Sequence, residues 1–85
     1  MAEDARRKRL RYRAWHRGTK ESDIILGTFA DARLASLDEA GLDAFEALLD
    51  VPDPVIYDWV TRRAPVPDEM DTPLMRDLLA HKITF

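Results

Sequence analysis

The stretch RGTKESDIILGTF, residues 17–29, decides the fold because it joins a basic segment to an apolar one. Before it, residues 4–16 contain no glycine or proline, and their apolar side chains recur at helical spacing. The inward stripe of a second helix then falls at Ile24, Ile25, Thr28, Phe29 and Ala32. Gly18 separates the two helices, either as a left-handed residue that ends the first or as the N-cap of the second. Gly27 predicts close packing of the second helix against another backbone.

Two further helices are indicated by their start signals. A capping box at residues 36–39, with Ser36 as N-cap, begins a third helix that turns Phe45 inward. Asp53 as cap and Pro54 at the first helical position begin a fourth helix.

The last third of the chain predicts an extended segment followed by a fifth helix. Two prolines prevent residues 64–67 from continuing a helix, so this segment is expected to be extended. Thr72 then caps a helix that begins at Pro73 and turns Leu78 inward. The sequence therefore predicts an all-α fold, a compact five-helix bundle in a single domain of residues 1–85.

Length and composition suit one small domain with one hydrophobic core. The absence of cysteine excludes disulfides and thiolate metal sites, and two histidines are too few for a metal centre. The longest strongly apolar run, residues 24–26, is far shorter than the ~20 residues of a membrane span. With no signal or transit segment evident, we expect no membrane insertion and a cytoplasmic location.

Charge is distributed unevenly along the chain, although the net charge is only −3. Residues 1–20 carry eight basic side chains against two acidic ones, whereas residues 21–85 carry five against fourteen. A basic end and an acidic body predict a dipole that orients a charged partner.

No residue pattern typical of an enzyme is present. The sequence lacks a nucleophile triad, a zinc motif and a glycine-rich phosphate loop. Asp68, Glu69 and Asp71 are interpreted as charges favoured by the dipole at the start of the fifth helix, not as a catalytic pair. We expect no catalytic, cofactor-binding or metal-binding residues and no enzymatic activity.

The segment Arg17-Gly18-Thr19-Lys20-Glu21 resembles the Arg-Gly-x-x-Glu signature of the SdhE family, small assembly factors for the flavoprotein subunit of succinate dehydrogenase. The resemblance covers nearly the whole chain, continuing through Asp23, residues 24–29, the Tyr-Asp-Trp-Val of 57–60 and the Asp-Thr-Pro of 71–73. One departure is Ser22, where the family usually has an apolar residue, and it bears on how tightly the second helix begins to pack.

The resemblance implies a chaperone-like assembly factor with the fold of a small five-helix bundle. Family members bind the flavoprotein subunit of succinate dehydrogenase, and in some bacteria of fumarate reductase. They promote covalent attachment of FAD to a histidine of that client. The factor itself is expected to bind no cofactor stably, because it acts on FAD attachment in the client.

By carry-over, Arg17, Gly18 and Glu21 face the client near its flavin site. Arg17 offers a fork of donors for a carboxylate or phosphate. Gly18 lets two backbones approach closely, and Glu21 accepts hydrogen bonds from client backbone or arginine. The other side chains expected at this contact are Tyr12, His16, Lys20 and Asp23. Trp15 and Trp59 are left open between core and interface.

The main alternative is a nucleic-acid- or ribosome-associated helical module. Seven basic residues lie between positions 6 and 17, with Tyr12 and Trp15 among them, and such a cluster favours phosphate binding. The acidic body and the lack of a recognition-helix motif argue against nucleic acid as a partner. Arginines around the first helix also leave no wide apolar face for a membrane surface.

Overall fold

A computed structural model describes residues 4–81, and α-helices make up most of this range. The five helices are α1 (Ala5–Trp15), α2 (Lys20–Arg33), α3 (Glu39–Leu49), α4 (Asp53–Val60) and α5 (Pro73–Ala80). Short 3-10 turns at Leu34–Ser36 and Asp68–Met70 follow α2 and precede α5. No strand occurs in the described range, so the all-α prediction is confirmed. The predicted domain boundaries, residues 1 and 85, lie outside the described residues.

Two of the predicted caps are displaced along the chain. The hydroxyl of Thr19, not Gly18, caps α2 by accepting a hydrogen bond from the Ser22 amide at 3.3 Å. Asp38 caps α3 by accepting from the Gly41 amide at 2.8 Å, so the prediction of Ser36 as cap is wrong. Ser36 belongs instead to the 3-10 turn that follows α2, and its hydroxyl donates to the Arg33 carbonyl at 2.8 Å. Gly18 has a φ of +111°, which agrees with the left-handed one of its two predicted roles.

The starts of the last two helices follow their proline signals more closely. Asp53 is the first residue of α4 rather than its cap, because Pro52 occupies the cap position. Thr72 caps α5 as predicted, accepting from the Met75 amide at 3.1 Å. Asp68 and Glu69 do not belong to α5 but begin the preceding 3-10 turn.

The contact between α1 and α2 depends on Gly27. A Cβ atom at this position would lie 2.2 Å from Cδ2 of Trp15, so only glycine leaves room for the indole. The prediction that Gly27 packs against another backbone is therefore wrong, because its neighbour is a ring. Trp15 is half-buried on this surface, and its Nε1 lies 3.4 Å from a carboxylate oxygen of Asp31.

The core collects the inward faces of all five helices. Phe45 and Leu78 are fully buried, as predicted, and the Phe29 and Phe45 rings lie with centroids 6.1 Å apart. Trp59 belongs to this core, and Ser22 is also buried, so the start of α2 packs closely. The fully buried large side chains are Phe29, Phe45, Ile25, Leu26, Leu34, Leu42, Leu48, Ile56, Met75 and Leu78.

Candidate partner-binding site

The turn between α1 and α2 carries the signature residues, and its backbone is fixed from two sides. The Arg17 amide donates a hydrogen bond to a carboxylate oxygen of Asp23 at 2.6 Å. Gly18 adopts a φ of +111°, a conformation that side chains disfavour. A Cβ at Gly18 would nevertheless meet no atom within 4 Å from residues 4–81, its two chain neighbours aside. Within the chain, glycine is therefore required by backbone conformation, while the space outside it is open.

The guanidinium of Arg17 points into the protein rather than outward. Its Nε donates to Asp53 at 2.7 Å, and one Nη donates to the Val51 carbonyl at 2.6 Å. Its other Nη donates to the Leu49 carbonyl. The side chains of Arg17 and Asp53 are only 10% and 19% exposed. The fork that the sequence assigned to a carboxylate or phosphate is therefore occupied by the chain's own acceptors.

This contact, which we name the Arg17 clamp, joins the α1–α2 turn to the α3–α4 junction. Leu49 and Val51 flank the end of α3, where helix carbonyls lack intrahelical partners, and Asp53 begins α4. A guanidinium satisfies two such carbonyls and a carboxylate at once, which an ammonium on a flexible stem does less well. The clamp therefore sets where the start of α2 lies relative to the start of α4.

Lys20 and Glu21 lie beyond the clamp and face outward. Both side chains are exposed in the first turn of α2. The Glu21 side chain makes no hydrogen bond or ion pair with any residue between 4 and 81. Glu21 borders an open cavity of about 330 Å³ between the starts of α2 and α4. The signature thus has an inward half at Arg17 and an outward half at Glu21.

The outer face of α1 adds an aromatic strip to this surface. The rings of Tyr12 and His16 stack with centroids 4.0 Å apart and planes 17° apart, and Tyr12 is 65% exposed. The His16 Nδ1 lies 2.8 Å from the Tyr12 carbonyl, which fixes the ring orientation. His16 and Trp15 line two adjoining cavities of about 380 and 580 Å³, the second of which reaches Gly18 and Lys20. The structure therefore brings the predicted flanking residues Tyr12, His16 and Lys20 next to the turn.

The arginines of the basic segment are largely paired within the protein. The side-chain ion pairs are Arg6 with Glu39, Asp43 and Glu46; Arg7 with Asp4; Arg11 with Asp31; Arg13 with Asp50; and Arg17 with Asp53. Arg7 also donates to the Leu34 and Leu37 carbonyls, at 3.1 and 2.6 Å. The basic end thus lies against the acidic body, which weakens the dipole that the sequence predicted.

Other kinds of site find little support in the described part of the chain. Between residues 4 and 81, no cluster of three or more His, Asp or Glu side chains has the arrangement of a metal site. None of the helices in that range has the length and apolar character needed to cross a bilayer.

Sequence reasoning missed the second half of the clamp. It assigned Asp53 only to capping, although Asp53 pairs with an arginine 36 positions earlier. It named Tyr57 only as part of the family resemblance and gave it no place at the site, although Tyr57 lines the cavity beside Glu21. Local start signals identify where a helix begins but carry no information on contacts between distant segments, so nothing in the pattern could have revealed either.

Comparisons with known proteins agree with the resemblance in the sequence. Residues 8–82 match the family model described as flavinator of succinate dehydrogenase. A protein of Acetobacter pasteurianus named FAD assembly factor SdhE is 43% identical over 82 residues, which cover 93% of this chain and 75% of that protein. Succinate dehydrogenase assembly factor 2, mitochondrial, of Dictyostelium discoideum is 37% identical over 75 residues, covering 88% of this chain and 53% of that protein.

A third relative, of Mycosarcoma maydis, has the same name as the Dictyostelium protein and is 46% identical over 66 residues. The match covers 78% of this chain but only 28% of that protein, so the shared region is one part of a longer chain there. The family match begins within α1 and takes in the turn that carries the signature and the other four helices. The chain belongs to the family of succinate dehydrogenase flavinators, and the predicted relation to SdhE is confirmed.

Proposed function

We propose that this chain is an assembly factor that binds the flavoprotein subunit of succinate dehydrogenase and promotes covalent attachment of FAD to it. The observation that carries the proposal is the family match over residues 8–82, together with the relative named FAD assembly factor SdhE. The internal pairing of the arginines argues against the nucleic-acid alternative, because it removes charge that phosphates would need.

The factor acts by positioning the client rather than by chemistry of its own. It binds no cofactor stably, and the client supplies the histidine and the reacting groups. Docking of a small rigid bundle holds the client in an arrangement that favours attachment and excludes water, which lowers the barrier. The cytoplasmic location and the extension to fumarate reductase stay predictions.

Within this role we assign different tasks to the residues of the signature. Glu21, Gly18 and Lys20 contact the client, since they are exposed at the turn. Arg17 and Asp23 act indirectly by holding that turn in place. Tyr12 and His16 extend the contact along α1.

The test is covalent flavin in the client after co-expression, measured as in-gel fluorescence of the denatured subunit. The wild-type chain should raise this signal, and Glu21→Ala should abolish most of the increase. Glu21→Ala should cost at most about 1 kcal/mol of folding free energy, because only its interaction with the helix dipole is lost. Glu69→Ala is the matched control, since Glu69 is also exposed but lies in the distant 3-10 turn.

Two results would contradict the proposal. One is equal covalent flavin in the client with and without the wild-type chain. The other is full activity of Glu21→Ala at the same protein level, which would return this residue to a simple role at the start of α2.

A further inference from the structure

The cavity between the starts of α2 and α4 has the features of a subsite for one side chain. Its volume is about 330 Å³, enough for a long side chain but small for a cofactor of FAD's size. The residues that line it are Thr19, Glu21, Ser22, Asp53, Pro54 and Tyr57. We call it the Glu21 pocket.

The Arg17 clamp fixes both walls of this pocket before any partner arrives. Arg17 lies two residues before Thr19 on one wall, and its Nε bonds to Asp53 on the other at 2.7 Å. Both clamp side chains are largely buried, so this geometry does not depend on exposed contacts. A preformed pocket binds more tightly than one that must be ordered on binding.

The charges around the Glu21 pocket favour a cation. Of the two carboxylates that line it, Asp53 is neutralised by Arg17, whereas Glu21 has no partner among residues 4–81. At the start of α2, the Ser22 amide is not available to an anion, because it already donates to the Thr19 hydroxyl. The remaining charge at the rim is therefore negative.

The apolar walls suit the stem of a long basic side chain. Pro54 and Tyr57 contribute apolar surface beside the carboxylate of Glu21. Lysine and arginine bury their methylene stems along such surface while the charged head stays near a carboxylate or water. The Tyr57 ring already has a cation near it, since the Arg63 guanidinium lies 5.8 Å from its centroid.

We propose that the Glu21 pocket receives an arginine or lysine side chain of the partner, with its charge against Glu21 and its stem between Pro54 and Tyr57. This inference rests on the proposed function and deepens it by stating what the client must present. It chooses between the two roles that the sequence left open for Glu21, acceptance from client backbone or from a client cation.

The experiment measures the dissociation constant for the purified flavoprotein subunit at about 50 mM and about 300 mM salt, where screening differs strongly. Glu21→Gln removes the charge and keeps the size, and Glu69→Gln is the matched control. We expect Glu21→Gln to weaken binding about tenfold at low salt and much less at high salt. Glu69→Gln should change binding less than about twofold at either salt concentration.

Arg63→Gln tests the sign of the incoming charge separately. Arg63 places a positive charge beside Tyr57, so its removal should leave binding unchanged or strengthen it if a cation enters. If an anionic group enters instead, the same substitution should weaken binding, and that result would overturn the inference.

Further outcomes test the inference and the proposed function separately. Binding unaffected by Glu21→Gln, or weakened equally at both salt concentrations, would mean that no cation pairs with Glu21, while the proposed function would survive. Failure of the wild-type chain to bind the subunit at all would overturn the proposed function and this inference together.

Discussion

Two arginines lie near α3 in different surroundings: Arg6 near the start of α1, and Arg17 just after its end. Arg6 meets three carboxylates, those of Glu39, Asp43 and Glu46, at 3.2, 2.6 and 3.1 Å. Arg17 meets one carboxylate and two backbone carbonyls. The carboxylates around Arg6 are 48–87% exposed, whereas the Arg17 and Asp53 side chains are 10% and 19% exposed.

Burial, not the number of opposite charges, decides what an ion pair does for this fold. The hydrogen bonds that Arg6 donates to Asp43 and Glu46 hold its pKa above the usual value, yet water and salt screen the exposed partners. Removing one partner of a buried pair leaves the other charge uncompensated, which is strongly destabilising. The Arg17 end is therefore rigid, and it is the end that carries the signature.

The largest loss of folding free energy should come from a substitution in the apolar core. This loss gives a scale for the substitutions of the two arginines. Phe45 is fully buried in α3, the helix that both arginine ends contact. Phe45→Ala should cost about 3–5 kcal/mol, a large part of a total near 5–10 kcal/mol. Urea unfolding monitored by circular dichroism measures it, and a change below about 1 kcal/mol would mean that the assigned core face is wrong.

The clamp should rank next. Arg17→Met should cost about 3 kcal/mol, because Asp53 and two carbonyls lose their donor in a largely buried site. Changing Asp53 as well to asparagine should recover part of this loss, so the double variant should be more stable than the sum of the single changes predicts. The measurement is a double-mutant cycle in urea.

Additive losses in that cycle would show that the two side chains do not act as a pair. A loss for Arg17→Met below about 0.5 kcal/mol would erase the difference between the two ends of α1.

The contact between His81 and Thr28 should have a smaller effect on the free energy of unfolding. Unlike the two arginine contacts, it should make stability depend on pH. His81 Nε2 lies 3.0 Å from the Thr28 hydroxyl oxygen, and that hydroxyl donates a hydrogen bond to the Ile24 carbonyl at 2.5 Å. Burial, and then the positive charge of Arg33, lower the pKa of His81 below 6.5. The folded state therefore binds this proton less readily than the unfolded state does.

The sign of the pH dependence follows from that shift. Stability from His81 is fully present above about pH 6.5 and is lost as pH falls towards the lower pKa of the folded state. The urea midpoint of the wild type should be lower at about pH 5.5 than at about pH 7.5. The midpoint of His81→Gln should change less between these two pH values. An equal fall in both proteins would assign the pH dependence to other groups.

The smallest effect should come from Arg6. Arg6→Gln should lower the thermal midpoint only slightly at low salt and not measurably at high salt, because its partners are exposed. Thermal melts of the wild type and Arg6→Gln at both salt concentrations measure this. A fall in the thermal midpoint as large as that of Arg17→Met, persisting in high salt, would mean that burial does not distinguish the two arginines.

Helix content could be predicted from the sequence because its signals are local. Proline at the starts of α4 and α5, and the apolar stripe of α2, each act within a few residues. The error at Ser36 is also local, since its hydroxyl bonds within the preceding 3-10 turn and Asp38 caps α3 instead. The position of the turn followed from the same signals, whereas the candidate site residues on it followed from the resemblance to the SdhE family.

The direction of Arg17 could not be predicted in the same way. A basic residue beside a glycine is equally compatible with an outward contact and with an inward clamp. Arg17 points inward because the end of α3 offers it a carbonyl acceptor. The rest of the basic segment poses the same problem, because its pairing requires α1 to lie against acidic residues of other helices. Such contacts arise from tertiary packing, which residue spacing does not encode.

Arg17 acts inside the protein, whereas Glu21 acts outside it. The most direct measurement is the Arg17 Nε–H signal in nitrogen-edited NMR spectra, recorded with and without the flavoprotein subunit. Because this N–H is held by buried Asp53, it should exchange slowly with water and keep its position when the backbone amide of Glu21 shifts on binding. Rapid exchange in the free protein, or a shift on binding as large as that of Glu21, would contradict the account.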